Sequence, residues 1–142
     1  MYHRWAALAL VLALCAVPTK QAAGQQSSTQ SRERKPAGSL GQNYPNPFNP
    51  ETSIPFSITD CEGGAQHTVT IRIYNVIAQL VAIPILDGPA APVNKLKLGC
   101  GNYVARWNGK VFNSDREAAS GVYMYELVVD DTRQAKKMFV AK

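Results

Sequence analysis

The sequence contains few of the side chains that usually carry catalysis or metal binding. Its 142 residues include two histidines and three cysteines, and 18% of the residues are charged. No CxxC pair, GxSxG sequence or glycine-rich phosphate loop occurs. His67 precedes an alternating segment and is interpreted as a solvated residue rather than as a general base. These absences argue against an enzyme, a metal centre, a cofactor site and a small-molecule substrate.

The charge is too small and too scattered to indicate nucleic-acid binding. The chain has 15 Lys and Arg against 10 Asp and Glu, which gives a formal net charge of +5. Without Arg4 and Lys20, near the N-terminus, the net charge falls to +3. No basic run with interleaved aromatic residues occurs beyond residues 133–137, whereas nucleic-acid-binding chains carry basic stripes of that kind.

No hydrophobic run is long enough to span a membrane. The longest, residues 5–17, has thirteen residues, whereas a helix needs about 20 to cross a hydrocarbon core of roughly 30 Å. Arg4 precedes this run and the small residues 22–24 follow it, a pattern typical of a secretory signal peptide. We therefore expect residues 1–24 to be a signal peptide. A retained anchor and a lipoprotein modified at Cys15 are the alternatives.

The cysteines indicate one disulfide in the exported chain. Cys15 would leave with the signal peptide, so Cys61 and Cys100 would remain. Both lie in predicted connections at the same end of a sandwich, where a bridge would close a loop of about 39 residues and stabilise the fold by roughly 3–4 kcal/mol. Two free thiols and half of a metal site are the other interpretations.

The pattern after the signal peptide predicts a linker followed by one all-β domain. Residues 25–41 are rich in Gln, Ser, Thr and Arg, and we expect a disordered linker there. Short alternating segments with turn residues between them predict an Ig-like or fibronectin-III-like antiparallel β-sandwich over residues 42–142. About seven strands are predicted, at residues 52–58, 68–74, 80–86, 93–98, 103–107, 122–129 and 135–140.

Several details of this sandwich follow from single residues. Pro55 lacks a backbone donor and should confine its strand to a sheet edge. The glycine pair in residues 60–66 predicts a hairpin turn. The largest core side chains should be Trp107, Tyr123 and Tyr125, although the two tyrosines would alternatively suit an exposed aromatic binding platform.

A run of asparagines and prolines leads into the predicted domain. Proline fixes φ and removes a donor, and asparagine favours turns, so this run should be stiff, extended and free of catalytic groups. We call this segment the NP run. It consists of Gln42 followed by Asn43, Tyr44, Pro45, Asn46, Pro47, Phe48, Asn49 and Pro50.

Five segments together resemble one known family. The first runs from Leu40 through the NP run to Thr52. The others are Val-Thr-Ile-Arg-Ile-Tyr-Asn-Val at 69–76, Trp-Asn-Gly-Lys at 107–110, Ala-Ser-Gly-Val-Tyr-Met-Tyr at 119–125 and Lys-Lys-Met at 136–138. In this order they resemble the type A C-terminal sorting domain of proteins exported by the bacterial type IX (Por) secretion system. They are also similar to the Ig-like domain of the flagellar hook-capping protein.

The resemblance implies export and recognition of the folded domain. The partners it implies are an outer-membrane secretion translocon and its processing enzyme, with a passage through the periplasm to the cell surface or medium. By position, the recognition residues would be Lys136, Lys137, Met138, Phe139 and Val140. An edge strand offers unpaired backbone groups, but the two lysines would equally serve as solubilising edge charges.

The expected function is therefore a non-enzymatic sorting module, with no cofactor. A structural or adhesive module of the cell surface or periplasm is the main alternative, and an assembly cap like that of the flagellum is a weaker one. Asn113, Asp115 and Glu117 alternate in a loop, and we interpret them as solvated residues rather than calcium ligands. No cargo precedes the domain in this chain, so we expect a truncated gene product, a remnant or a small secreted protein whose only module is this domain.

Overall fold

The fold is taken from a computed structural model, which describes residues 35–142. The predicted signal peptide and residues 25–34 of the predicted linker lie outside the described residues. Within the described part, no helix is long and apolar enough to cross a membrane.

Ten β-strands and one short 3₁₀ turn at Glu62–Gly64 make up the described chain. The strands are β1 Gly38–Leu40, β2 Thr52–Ile58, β3 His67–Tyr74, β4 Leu80–Ala82, β5 Ile85–Leu86, β6 Ala91–Pro92, β7 Leu96–Leu98, β8 Gly101–Trp107, β9 Gly121–Val129 and β10 Thr132–Val140.

The strands form two antiparallel sheets, which confirms the predicted β-sandwich. The first sheet has the order β1-β2-β8-β5-β6. The second has the order β10-β9-β3-β4, and β7 also pairs with β3. Side chains alternate between the two faces of each strand, so β2 buries every second residue from Thr52 to Ile58.

The core lies between the inner faces of the two sheets. Trp107, Tyr123 and Tyr125, which the sequence analysis placed in the core, are all buried. The fully buried side chains of largest volume besides Tyr125 are Phe48, Ile54, Ile58, Ile71, Ile73, Leu86, Leu127, Met138, Val69, Val93 and Val129. Phe48 belongs to the NP run, so this run contributes to the core and does not merely lead into it.

Pro55 lies inside the first sheet, and the prediction of an edge strand is wrong. β2 pairs with β1 on one side and β8 on the other. The Gly41 N–H donates to the Pro55 carbonyl at 2.8 Å, but proline has no N–H to return. The Tyr125 hydroxyl donates to the Gly41 carbonyl instead, at 2.9 Å. A Cβ at Gly41 would lie 2.8 Å from Pro55 Cγ, so the glycine leaves room for the proline ring.

Two predicted connections also differ from the structure. Residues 60–66 do not form a hairpin, because they join β2 of the first sheet to β3 of the second. The predicted strand at residues 80–86 is two strands, β4 in the second sheet and β5 in the first. Pro84 lies between them and lacks the N–H that a continuous ladder would use. A continuous apolar run therefore crosses from one sheet to the other.

The domain begins before the predicted end of the linker. β1 pairs with β2 from Gly38 to Leu40, and the side chain of Gln134 bonds the outer edge of β1, at the Leu40 N–H and the Gly38 carbonyl. Leu40 is buried. The prediction of disorder is therefore wrong for residues 38–41, because a strand partner and a core site offset the low hydrophobicity of the segment.

The predicted disulfide is confirmed. Cys61 in the β2–β3 connection and Cys100 between β7 and β8 are bonded, with their Cα atoms 5.7 Å apart. The bridge joins residues separated by 39 positions. It ties the connection between the two sheets to the start of β8 in the first sheet.

Candidate functional site

The sequence motifs converge at one end of the sandwich, around a cluster of three aromatic rings. The Trp107 ring lies edge-on to Phe48 of the NP run, with centroids 5.3 Å apart. It makes a similar contact with Tyr123 at 5.6 Å. The Tyr123 hydroxyl donates to the Ala119 carbonyl at 2.8 Å. The NP run, the Trp-Asn-Gly-Lys motif and the Ala-Ser-Gly-Val-Tyr motif therefore share one packing unit.

Gly109 is required where the NP run crosses the Trp-Asn-Gly-Lys turn. It has a φ of +75°, and a Cβ there would collide with the Pro50 carbonyl oxygen. The Trp107 indole N–H donates to the Lys110 carbonyl at 2.8 Å and closes this turn. The glycine of the motif thus permits both the left-handed backbone and the close approach of the two segments.

The NP run is held by buried side-chain hydrogen bonds. Asn43 and Thr52 are each 2% exposed, and the Asn43 amide donates to the Thr52 hydroxyl at 3.0 Å. The Thr52 hydroxyl in turn donates to the Pro45 carbonyl at 2.9 Å. The Gln42 amide donates to Asn43 Oδ1 at 2.7 Å. This network explains why Asn and Thr occupy positions that are otherwise apolar, since it satisfies their polar atoms.

The Tyr125 hydroxyl fixes the beginning of the NP run. It accepts a hydrogen bond from the Asn43 N–H at 2.9 Å and donates to the Gly41 carbonyl at 2.9 Å. Burial raises the pKa of this hydroxyl, and the Asn43 hydrogen bond acts in the opposite direction. The raised pKa keeps the proton that the bond to Gly41 needs.

Part of the NP run pairs with the C-terminal strand and covers its outer edge. The Phe48 N–H donates to the Phe139 carbonyl, and the Ala141 N–H donates to the Phe48 carbonyl, both at 3.0 Å. The Phe139 N–H donates to Asn46 Oδ1 at 2.9 Å. We call Asn46 and Phe48 the clasp. The expectation of an open edge on the C-terminal strand is therefore wrong for residues 139–141.

The predicted recognition residues lie on two opposite faces of β10. Met138 and Val140 are buried, whereas Phe139 is 45% exposed. Lys137 is exposed on the face that carries Phe139, and Lys136 is half-buried on the core-facing side. The two lysines therefore do not form one cationic site. Lys137 and Phe139 share the outer surface.

Comparison with known proteins was made for the whole chain. No known family, curated protein or solved structure matches it.

The two loop carboxylates that were considered as calcium ligands form ion pairs with different lysines. Asp115 lies 3.4 Å from Lys110, and Glu117 lies 2.9 Å from Lys142. The hydrogen bond with Lys142 is the main reason that the pKa of Glu117 is lowered. Within residues 35–142, no group of three or more His, Cys, Asp or Glu side chains is placed to hold a metal ion.

His67 joins two turns at the opposite end of the second sheet. Its Nδ1 lies 2.7 Å from Asp130 Oδ2 and its Nε2 lies 2.9 Å from the Asp60 carbonyl. Both neighbours are acceptors, so the doubly protonated ring satisfies both contacts. The hydrogen bond to Asp130 is the main cause that raises the pKa of His67, and it lowers the pKa of Asp130. The sequence analysis, which treated His67 as solvated, missed this link.

A groove with a volume of about 720 Å³ lies between β5 and the loop after Trp107. Two ion pairs lie along it, one of 2.8 Å between Arg106 and Asp87 and one of 3.4 Å between Lys110 and Asp115. Phe112 lines the groove and is 47% exposed. This groove lies apart from the predicted recognition residues, none of which lines it.

Sequence reasoning missed the clasp because its contacts join residues about 90 positions apart. Asn46 and Phe139 are separated by 93 positions. The one available indication was Phe48 itself, a large apolar residue in an otherwise polar run, which a purely extended lead segment would not need.

Proposed function

We propose that the described domain is a non-enzymatic sorting module whose C-terminal strand is recognised by an outer-membrane secretion translocon. The proposal rests on the resemblance of the motifs and on one structural observation. That observation is the placement of Lys137 and Phe139, which are both exposed on the outer surface of the terminal strand. Met138 and Val140 anchor the same strand in the core.

This geometry favours recognition of the folded domain over recognition of a loose peptide. The side chains that face outward are held in place by their buried neighbours and by the clasp. A partner would thus read Lys137 and Phe139 at a fixed spacing, while Met138 and Val140 would act indirectly by positioning the strand. Lys136 would contribute less, because it is half-buried on the other side.

The proposal also covers processing and location. The predicted signal peptide would take the chain to the periplasm, and a processing enzyme would cut after passage to the cell surface. We expect the cut to precede Gly38, because a cut within β1 would have to break its pairing with β2.

A fluorescent reporter inserted after residue 30 of the full chain tests the proposal in a bacterium with type IX secretion. Lys137→Glu and Phe139→Ser are expected to trap the reporter in the periplasm. Lys97→Glu, at an exposed lysine of β7, is the matched control and should leave export unchanged. Removal of residues 135–142 would be a poor test, because it also removes Met138 and Val140 from the core.

Thermal unfolding of each purified variant separates recognition from folding. Export that fails in the Lys137 and Phe139 variants, at unchanged midpoint temperature, would support the sorting module. Equal surface exposure of the reporter in all variants and in a strain without the translocon would overturn it. A structural or adhesive surface module would then be the better account.

A further inference from the structure

Exposed apolar side chains gather at one end of the second sheet. Eight large hydrophobic residues are exposed in the described chain, and five of them lie here. Val76 and Ile77 are 77% and 69% exposed in the turn between β3 and β4. Leu80 begins β4, and Val122 and Phe139 are cross-strand partners in β9 and β10. A concentration of this kind marks an interaction surface.

The strand register makes these side chains one continuous surface. Tyr74 pairs with both Leu80 and Met124, and Met124 pairs with Lys137. The pair of Val122 and Phe139 forms the next row toward the turn. We call Val76, Ile77, Leu80, Val122, Met124 and Phe139 the apolar patch.

The exposure of Val76 and Ile77 is imposed by a well-ordered turn. Asn75 Oδ1 accepts hydrogen bonds from the Ile77 N–H at 3.1 Å and the Gln79 N–H at 2.9 Å. The Asn75 N–H donates to the Gln79 carbonyl at 3.0 Å. The turn therefore presents two adjacent apolar side chains to solvent in a fixed direction, and both protrude from the end of the sheet.

The strands of the face that carries the patch have more cations than carboxylates. Its strand residues include Arg72, Lys97, Arg133 and Lys137, against the single carboxylate Glu126. That carboxylate is already 3.3 Å from Arg133. Arg72 and Lys137 lie in or beside the row of Tyr74 and Met124. The charge favours an anionic partner and opposes a second copy of this chain, which would bring like charges together.

A protruding turn with apolar residues and flanking cations suits a fluid anionic surface better than a rigid pocket. We propose that this end of the second sheet binds an anionic lipid leaflet. Val76 and Ile77 enter the boundary between headgroups and acyl chains, and Arg72 and Lys137 contact lipid phosphates. This role goes beyond sorting, since it would hold the folded domain at a membrane surface in the absence of any other protein.

An environment-sensitive fluorophore in the turn tests the proposal in the full chain. A Cys15→Ser, Ile77→Cys variant carries the label, and a Cys15→Ser, Ser39→Cys variant labelled in the first sheet is the control. Vesicles of phosphatidylglycerol and phosphatidylcholine should shift the emission of the turn label to shorter wavelength, and added salt should reverse the shift. The local label is needed because residues 5–17 of the full chain can bind vesicles independently.

Several results would overturn the proposal. One is an emission wavelength of the turn label that does not change with any vesicle. Another is a shift of equal size with vesicles of phosphatidylcholine alone. A shift that grows with protein concentration in the absence of lipid would indicate a second copy and would also refute it. A shift produced by an acidic protein but not by vesicles would assign the patch to protein docking.

Unlabelled variants, all in the Cys15→Ser background, measure how much individual side chains contribute to vesicle affinity. Each is compared with the Cys15→Ser chain under identical conditions. Replacing Val76 and Ile77 with serine should weaken the part of the binding that depends on phosphatidylglycerol at least about ten-fold. Arg72→Gln should weaken it about five-fold. Ile85→Ser removes a side chain that is 40% exposed in the first sheet and should change nothing. Equal binding of all these chains would contradict the proposal.

Discussion

At the scale of single residues, the Tyr125 hydroxyl links β9 to Gly41, which follows β1, and to the NP run. It donates a hydrogen bond to the Gly41 carbonyl, to which Pro55 cannot donate because proline has no N–H. It also accepts a hydrogen bond from the Asn43 N–H. One oxygen atom therefore satisfies two backbone groups that the proline in β2 and the bend after β1 leave without partners. A tyrosine is therefore needed here, because phenylalanine would leave both backbone groups without this partner.

Tyr125→Phe is therefore expected to destabilise the protein by about 1–3 kcal/mol, because it leaves a buried donor and a buried acceptor unsatisfied. Chemical denaturation of the purified chain measures the difference. Tyr74→Phe is the matched control, because within the described residues the Tyr74 hydroxyl has no hydrogen-bond partner; its effect should be under about 0.5 kcal/mol. Equal stability of the two variants would contradict the role of the Tyr125 hydroxyl.

The link between His67 and Asp130 predicts a pH dependence. The folded-state pKa of His67 is raised above its ordinary value of 6.5, so the folded state holds the proton more tightly than the unfolded state does. The contribution of His67 to the free energy of unfolding is fully present below pH 6.5 and is lost as the pH rises through the folded-state pKa. Asp130 has the opposite sign, since its lowered pKa gives stability that is lost in acid.

The free energies of unfolding of the wild type and His67→Gln, measured across the neutral range, test this expectation. The advantage of the wild type should shrink as the pH is raised above the ordinary histidine pKa. A difference that stays constant or grows with pH would show that the protonated ring is not the stabilising form.

At the scale of elements, the C-terminal strand is an edge strand with two differently protected halves. Residues 139–141 are covered by the clasp, and the Lys137 carbonyl accepts a hydrogen bond of 3.2 Å from the Gln42 amide. Farther back, Gln134 turns its side chain to β1 rather than to solvent. The edges of both sheets on this side are thus capped by side chains and by the NP run, which limits edge-to-edge association.

Asn46→Ala should loosen the end of β10 without unfolding the domain. The Phe139 N–H loses its acceptor, so its hydrogen exchange should become about five-fold faster, as expected for loss of one hydrogen bond of about 1 kcal/mol. Asn49→Ala is the matched control, since Asn49 is in the same run and its side chain has no hydrogen bond within the described residues. The same exchange rate at Phe139 in both variants would refute the clasp.

At the scale of the whole molecule, the disulfide cross-links two connections that each run between the two sheets. It joins the connection between the sheets to the start of β8, across 39 positions. Replacing Cys61 and Cys100 with serine should lower the free energy of unfolding by about 3–4 kcal/mol, mainly by enlarging the unfolded ensemble. Denaturant unfolding with and without reductant provides the measurement.

The reduced wild type is the internal control for that experiment. It should unfold at the same denaturant concentration as the double serine variant, because both lack the bridge. An oxidised wild type that is no more stable than the variant would show that the cross-link does not constrain the unfolded chain.

The fold class, the pairing of the cysteines and most strands could be predicted from the sequence alone. Alternation at residues 52–58 and 122–129 is a local property, because successive side chains of a strand must face opposite sides. The burial of Tyr123 and Tyr125 follows the same alternation, since both share a strand face with Leu127 and Val129. The proposed recognition residues come from the resemblance of the motifs and remain a prediction.

Which elements pack together could not be predicted from the sequence. Pro55 could enter the interior of a sheet because Gly41 and Tyr125 happen to adjoin it, and residues 80–86 crossed between sheets because each half found a different partner strand. The NP run became part of the core and of the edge of β10 through contacts with residues far away in the sequence. Such contacts depend on the packing of the whole chain, so no local pattern in the sequence encodes them.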